Sequence, residues 1–357
     1  MKRRAFISSM TLAGSAVALW APGLLGQARP PRIRIGQIGT KHAHAAGKLA
    51  AIRNLPDLFE IVGVVEPDGQ RREAAQRDQA YQGLEWLTEE QLLGKKGLQA
   101  VAVETEVGDL LATAERCVKA GMHIHLDKPA GESLPHFKRV LDEANRRNLT
   151  VQMGYMFRYN PAFQLAYRAG REGWLGEVFS VDAVMGKVLN RASRQALLKY
   201  PGGAMFELGC HVMDSVIKVL GKPQKLTAHG RSSSAYKDGL LDNQLAVLDY
   251  PDATATVRAN FVEVEGGARR QFVMCGTRGT LDIRPLEPPH VRLALDAPRE
   301  GFKRGYQDVA LPRLPRYDGE FMDLAKVIRG EKRFEWPPEH DLAVQEAVLL
   351  GSGLSVG

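Results

Sequence analysis

The chain has 357 residues, enough for two domains with cores of their own. Its 44% apolar and 25% charged content is ordinary for a globular protein, and its formal charge of +7, three of it in residues 1–28, is mild. Without Lys/Arg runs beyond short pairs, and without basic residues interleaved with aromatics, this composition speaks against nucleic-acid binding; an anionic small ligand such as a dinucleotide suits it better.

The N-terminus opens with Lys2-Arg3-Arg4, followed by a modestly apolar stretch from Met10 to Leu25 and small residues at Gly26-Gln27-Ala28. The stretch is short and diluted by Gly and Ser, so it resembles a twin-arginine (Tat) export signal rather than a membrane span. The expectation is a periplasmic protein with no stable membrane insertion once residues 1–28 are removed. The three cysteines, Cys117, Cys210 and Cys275, are far apart and show no metal or redox spacing, so they read as small apolar residues.

From residue 32 onward strands alternate with helices. Strand patterns at 32–38, 59–65, 84–86, 99–103, 122–127 and 150–154 are separated by helical patterns at 44–53, 69–79, 88–94, 107–120 and 133–147. Alternation of this kind predicts a parallel, doubly wound sheet over residues 29–150. The pattern then changes. A helix at 160–172, a strand at 177–185 and a long helix opened by Gly202-Gly203 and running to 220 come first. Strands at 224–231, 243–250, 254–263, 270–276, 280–283, 291–295 and 306–311 follow, with a hairpin turn at Tyr250-Pro251-Asp252-Ala253. Helices at 317–330 and 339–350 end the chain. Residues 151–357 therefore read as an α+β domain with a mainly antiparallel open sheet, its last helices packing back on the first domain. The fold class is α/β, a Rossmann domain followed by a second domain.

Three stretches carry chemistry. Gly36-Gln37-Ile38-Gly39-Thr40-Lys41-His42-Ala43-His44 lies between the first strand and first helix, where a Rossmann fold binds dinucleotide phosphates. The fingerprint has glycine at the positions of 39, 41 and 44, and only Gly39 is present. Lys41 either blocks close approach of a pyrophosphate or supplies it with charge. Glu66, at the tip of the second strand, suits a ribose 2′-hydroxyl and repels a 2′-phosphate, favouring NAD over NADP. Asp127-Lys128-Pro129 closes the 122–127 strand at the sheet edge where such folds bind ligands; Pro129 stops the strand and fixes the backbone. In the 202–214 stretch, Glu207, His211 and Asp214 are spaced i, i+4, i+7 and so share one helix face, on which the acid can orient and charge the imidazole.

Asp127-Lys128-Pro129, Gly154-Tyr155-Met156-Phe157-Arg158-Tyr159-Asn160-Pro161 and the 202–214 stretch occur in this order. Together they resemble the Gfo/Idh/MocA family of NAD(P)-dependent oxidoreductases, over about residues 32 to 350. The resemblance implies an oxidoreductase that oxidises or reduces a hydroxyl or keto group of a sugar, polyol or glycoside. It implies Lys128 against nicotinamide and the substrate hydroxyl, His211 as the base, and Glu207, where the family has Asp, in substrate binding and site support. Tyr155, Arg158 and Asp214 are the further substrate-side candidates. The dinucleotide, NAD with NADP as the alternative, is expected to be tightly held against Gly39, Thr40, Lys41, His42, Glu66, Glu104, Asp127, Lys128 and Pro129. A homo-dimer or homo-tetramer follows by analogy.

Two departures bear on the dinucleotide half: the altered glycine loop, and Glu104-Thr105-Glu106 where the family has Thr-Pro, which brings two carboxylates toward the phosphates. His42, His44, Glu104, Glu106 and His125 near neighbouring strand ends are able to ligate a metal. No spacing is diagnostic, and the reading kept is a polar cleft with satisfied histidines and no metal. Two other functions use the same residues: a lyase or glycosidase-like enzyme with transient oxidation, and a catalytically decayed sugar-binding protein.

Overall fold

The computed structural model describes residues 30–357; the export-signal reading lies outside them. The first sheet has six strands: β1 (Ile33–Ile38), β2 (Phe59–Val65), β3 (Trp86–Leu87), β4 (Ala100–Val103), β5 (His123–Leu126) and β6 (Val151–Met153). Their order is β3-β2-β1-β4-β5-β6 and every pair is parallel. This is the doubly wound arrangement, with the order reversing between β1 and β4, where a crevice opens outside the strand ends. Burial on both faces explains the composition of β4: Ala100, Val101, Ala102 and Val103 are all fully buried.

The second sheet has eight strands: β7 (Val178–Gly186), β8 (Lys225–Arg231), β9 (Asn243–Asp249), β10 (Thr254–Asn260), β11 (Gln271–Gly276), β12 (Gly279–Leu286), β13 (Pro289–Leu295) and β14 (Gly305–Val309), in the order β14-β13-β12-β11-β7-β10-β9-β8. All neighbours are antiparallel except β7 and β10, which run parallel. In β9, Gln244, Ala246 and Leu248 are buried while the residues between them are not, the signature of a sheet covered on one face. The hairpin at 250–253 joins β9 to β10. The helix Asp318–Ile328 lays Phe321, Leu324 and Ala325 into a core shared with Ile33, Ile35 and Phe59. No helix among the described residues is long and apolar enough to cross a membrane. Cys117, Cys210 and Cys275 are all free thiols.

The structure departs from the sequence reading in local detail. Short helices at Arg191–Leu197 and Gly266–Arg269 have no counterpart in it. The long helix expected from 202 opens instead as a π-helical turn, Met205–Gly209, before the α-helix Cys210–Leu220. The start of this segment is tied to the second sheet: Ala204 N donates to the Leu241 carbonyl at 2.8 Å and Met205 N to Gln244 Oε1 at 2.8 Å. Gly203 makes that approach possible, with φ +60° and room for no Cβ, which would stand 2.1 Å from the Leu241 oxygen. π-turns of this kind concentrate at functional sites.

Candidate active site

The cleft lies outside the carboxyl ends of β1, β2, β4 and β5. Its first wall is the 39–44 loop. Gly39 has φ +92°, and a Cβ there would meet Thr105 N at 2.6 Å and the Glu104 carbonyl at 2.7 Å, so the turn requires glycine. His42 N donates to the Glu104 carbonyl at 3.1 Å, fastening the loop to the end of β4. The helix Ala45–Arg53 then begins with no side-chain cap, the arrangement that receives phosphate. Glu66 is buried at the tip of β2 and accepts hydrogen bonds from Thr40 N (2.9 Å) and Thr40 Oγ1 (2.7 Å). A glycine-requiring turn, an uncapped helix start and a carboxylate at the second strand tip fit a dinucleotide.

The acids expected to repel the phosphates are arranged otherwise. Glu106 stands 4.0 Å from Lys41 Nζ and 3.6 Å from Arg71 Nη1, and Arg71 Nε lies 3.5 Å from Glu66. Arg71 and Lys41 therefore offset the rim charge. Glu104 turns down into the floor, fully buried, where burial and the neighbouring Asp127 push its carboxyl well above the ordinary range. Asp127 is also fully buried; His42 and His44 outweigh its burial and hold it well below.

Asp127 and Lys128 hold the centre. Lys128 is 1% exposed, and its Nζ donates to the Glu207 carbonyl at 2.7 Å, with Glu207 Oε2 at 3.3 Å. Burial works against the ammonium, but Glu207 outweighs it and raises the lysine above its ordinary value. Burial likewise works against the Glu207 carboxylate, and Lys128 outweighs it, so the acid is lowered. The peptide between Lys128 and Pro129 is cis.

His211 follows Glu207 by one turn. It is buried, and its Nδ1 has no hydrogen-bond partner. Its ring packs against His44 (centroids 6.0 Å), Tyr155 (6.2 Å) and Phe157 (5.9 Å). Burial, then the charge of Lys128, pushes its pKa well below the ordinary histidine value, so the imidazole is neutral. The expected pairing of Glu207 with His211 is not what the structure has: the acid turns to Lys128. The intervening π-turn breaks the regular helical spacing on which that expectation rested.

Arg158 and Asp214, expected beside the substrate, are instead each other's partners. Arg158 Nη2 lies 2.6 Å from Asp214 Oδ1, and Nε donates to both Asp214 oxygens at 3.1 Å. Asp341 also accepts from Arg158, His340 Nε2 lies 3.0 Å from Asp214, and the guanidinium sits 4.2 Å from the Trp336 ring centre. Both side chains are fully buried. Their role is to brace the 154–160 segment, and hence Tyr155 and Phe157, against the His211 helix.

His125 likewise faces away from the cleft. Its Nδ1 lies 2.9 Å from Gln152 Oε1 and its Nε2 3.3 Å from Glu320, which also pairs with Lys48; burial lowers its pKa to about 3. Residues remote in sequence complete the cleft: Tyr317 packs 5.7 Å from the His44 ring, and the charges of Arg316 and Lys187 act on His211 and Glu207 respectively. They carry no motif, and only the return of the 310–317 strand-to-helix connection and the end of β7 brings them here.

Comparison with known proteins agrees with this architecture. Residues 33–155 match the model of the oxidoreductase family with an NAD-binding Rossmann fold, and residues 163–282 match the GFO/IDH/MocA C-terminal domain. The chain belongs to the GFO/IDH/MocA oxidoreductase family. A relative in Sus scrofa, trans-1,2-dihydrobenzene-1,2-diol dehydrogenase, is 26% identical over 202 residues, 56% of this chain and 58% of that protein. The chain thus spans about three fifths of the length of the curated family members it matches. Among solved structures, the UDP-N-acetylglucosamine 3-dehydrogenase GnnA of Acidithiobacillus ferrooxidans superposes with a TM-score of 0.74 at 18% identity, covering 91% of this chain and 98% of that one. An oxidoreductase of Agrobacterium radiobacter, in complex with NAD+, L-tartaric acid and magnesium, gives 0.75 at 16% identity, covering 89% and 94%. At these identities the GFO/IDH/MocA likeness to solved structures is one of fold.

Proposed function

We propose that the protein is an NAD-dependent dehydrogenase of secondary hydroxyl groups on a sugar, polyol or glycoside. The observation that carries this reading is a buried ammonium, Lys128, held on Glu207, whose charge acts on a buried neutral imidazole, His211, one helical turn beyond Glu207. Oxidising an alcohol requires loss of a proton from oxygen and of a hydride from carbon. His211 takes the proton, for which it must be unprotonated. Lys128 stabilises the alkoxide that develops on the same oxygen, in a site where burial strengthens its charge. Glu207 holds the lysine in place and charged. Nicotinamide would supply the hydride acceptor, and Gly39, Thr40, Lys41 and His42 would hold its phosphates and Glu66 its ribose. The diol substrate in the name of the Sus scrofa relative supports a hydroxyl-bearing substrate.

The reading extends to location and assembly. The twin arginines Arg3-Arg4 support export by the Tat route, which carries folded proteins and so allows a cofactor to be bound tightly before export. The uncovered face of the second sheet, where Val184, Leu245, Thr256 and Val273 flank a shallow depression, supports association as a dimer or tetramer. Fractionation of cells expressing wild type and Arg3→Lys/Arg4→Lys tests the first; light scattering after size exclusion tests the second. The chemistry is tested by following nicotinamide absorbance with NAD and with NADP over a panel of sugars, polyols and glycosides. Reduction with at least one member, lost in His211→Asn, supports the reading; no reduction with any of them, by protein shown to bind the dinucleotide, removes it.

A further inference from the structure

The floor of the cleft holds four side chains that the hydride chemistry does not use as a group. His42 and His44 come from the loop after β1, Glu104 from the end of β4 and Asp127 from the end of β5, three adjacent strands. Asp127 Oδ2 lies 3.0 Å from His42 Nδ1 and 3.1 Å from His44 Nδ1, and Glu104 Oε2 lies 3.9 Å from His42 Nδ1. A tetrahedral first-row cation with bonds of about 2.1 Å separates its ligand atoms by about 3.4 Å, in the middle of this range. The geometry points to a divalent transition-metal site formed by His42, His44 and Asp127, whose ligand atoms all lie within 4.8 Å of one another, with Glu104 beside it.

Two further observations favour a cation there. His42 Nε2 lies 3.0 Å from the Lys128 carbonyl, to which it can only donate. In a neutral ring this leaves a lone pair on Nδ1, the outer-shell arrangement that fixes a ligating histidine. That lone pair accepts only a long hydrogen bond from His44 N, at 3.3 Å, and stands 3.0 Å from an Asp127 oxygen. Secondly, Glu104 is fully buried and neither of its oxygens has a hydrogen-bond partner. A buried carboxyl group without a partner is costly, and here it stands beside the charge of Asp127. The nearby buried amine, Lys48, is taken by Glu320.

Two imidazoles and a carboxylate suit zinc, cobalt, iron or manganese better than calcium or magnesium, which prefer oxygen alone. Three protein ligands hold the cation and leave one position for water. The cation would pin the 39–44 loop to β4 and β5, where the loop lacks two of its three fingerprint glycines. The ligand set differs from the one the sequence suggested: Asp127 joins it, Glu104 stands beside it, His125 belongs to the Lys48–Glu320 network, and Glu106 stays at the rim with Lys41 and Arg71.

The test uses the full chain, stripped by chelator and shown to be folded by circular dichroism. Cobalt(II) is titrated while the visible d–d bands are read, and zinc(II) is titrated while the melting temperature is read. The site predicts tetrahedral bands saturating at one cobalt per chain, and a higher melting temperature with zinc. Asp127→Asn, which keeps the shape of the side chain, and His44→Gln, at the edge of the cluster, should each weaken cobalt binding by roughly 100-fold or more. A folded stripped protein with no cobalt bands and no melting shift overturns the site; so does undiminished binding in both variants. NADH titration of the same preparations reads dinucleotide binding separately from the metal.

Discussion

Lys128 Nζ lies 2.7 Å from the backbone carbonyl of Glu207 and 3.3 Å from its carboxylate, a contact between the end of β5 in the parallel sheet and the π-turn that leads into the His211 helix. The ammonium is thereby aimed and kept charged. Lys128→Met should lower kcat by roughly 10²–10³-fold, the loss that follows removal of one charge stabiliser in a dry site. Glu207→Gln should fall between wild type and Lys128→Met, because it removes the partner and keeps the ammonium. Steady-state kinetics on variants shown to be folded checks the order; a Glu207→Gln variant worse than Lys128→Met would contradict the supporting role.

The neutral state of His211 fixes the direction of the pH dependence. A base works only when unprotonated, and burial and Lys128 both push His211 below the ordinary histidine value of 6.5. The acid limb of kcat/KM should therefore lie below pH 6.5. In Lys128→Met the largest of the depressing charges is gone, so the limb should move up toward 6.5. The pH–rate profiles of the two proteins check this, and a limb at or above 6.5 in wild type goes against it.

Histidine burial also affects stability. His125 is held neutral down to about 3, whereas in the unfolded chain it takes a proton near 6.5. Between those values the unfolded state binds more protons, so stability falls as pH falls, by up to about 1.4 kcal/mol per pH unit for one such group. Urea unfolding at pH 7 and pH 5 measures it; the midpoint should be lower at pH 5.

Gly39 and Glu66 make separable predictions about the dinucleotide. Gly39→Ala puts a Cβ against the Glu104 carbonyl at a positive φ, so it should cost at least about 1–2 kcal/mol of stability and weaken NADH binding. Glu66→Gln should leave NADH binding largely intact and raise the affinity for NADPH, since Arg71 then stands beside the 2′ position without a carboxylate. Fluorescence titrations with both nucleotides read the two effects.

Arg158 is predicted to matter for folding rather than chemistry. It is fully buried between Asp214 and Asp341. Replacing it by Met strands two buried carboxylates, a loss of about 3–5 kcal/mol. Denaturant melts of Arg158→Met and of the triple variant Arg158→Met/Asp214→Leu/Asp341→Leu separate stranded charge from lost packing: the triple variant should recover part of the loss.

The sheets were legible because their residues follow simple patterns. β4 is apolar throughout, β9 alternates, and Asp127-Lys128-Pro129 stands at a strand end where ligands bind. Gly39, Lys128 and His211 could be picked out for the same reason, each lying at a junction of elements. What was not legible depends on distance in the chain or on irregular backbone. Arg158 meets Asp341 across 183 residues, and no local spacing distinguishes that buried brace from a substrate contact. The π-turn at Met205–Gly209 is set by Leu241 and Gln244 from another part of the chain, so the i, i+4 reading of Glu207 and His211 missed that the acid turns to Lys128. The rim acids looked unfavourable because Arg71, which offsets them, belongs to the following helix and carries no motif of its own.

The claim on which the account turns is that this cleft binds a nicotinamide dinucleotide despite its altered glycine loop. Calorimetric titration of the full chain, freed of any bound nucleotide, with NADH measures it directly. The account predicts saturable binding of one NADH per chain, weakened in Gly39→Ala. No saturable heat with NADH or NADPH, from protein with native circular dichroism, would contradict it.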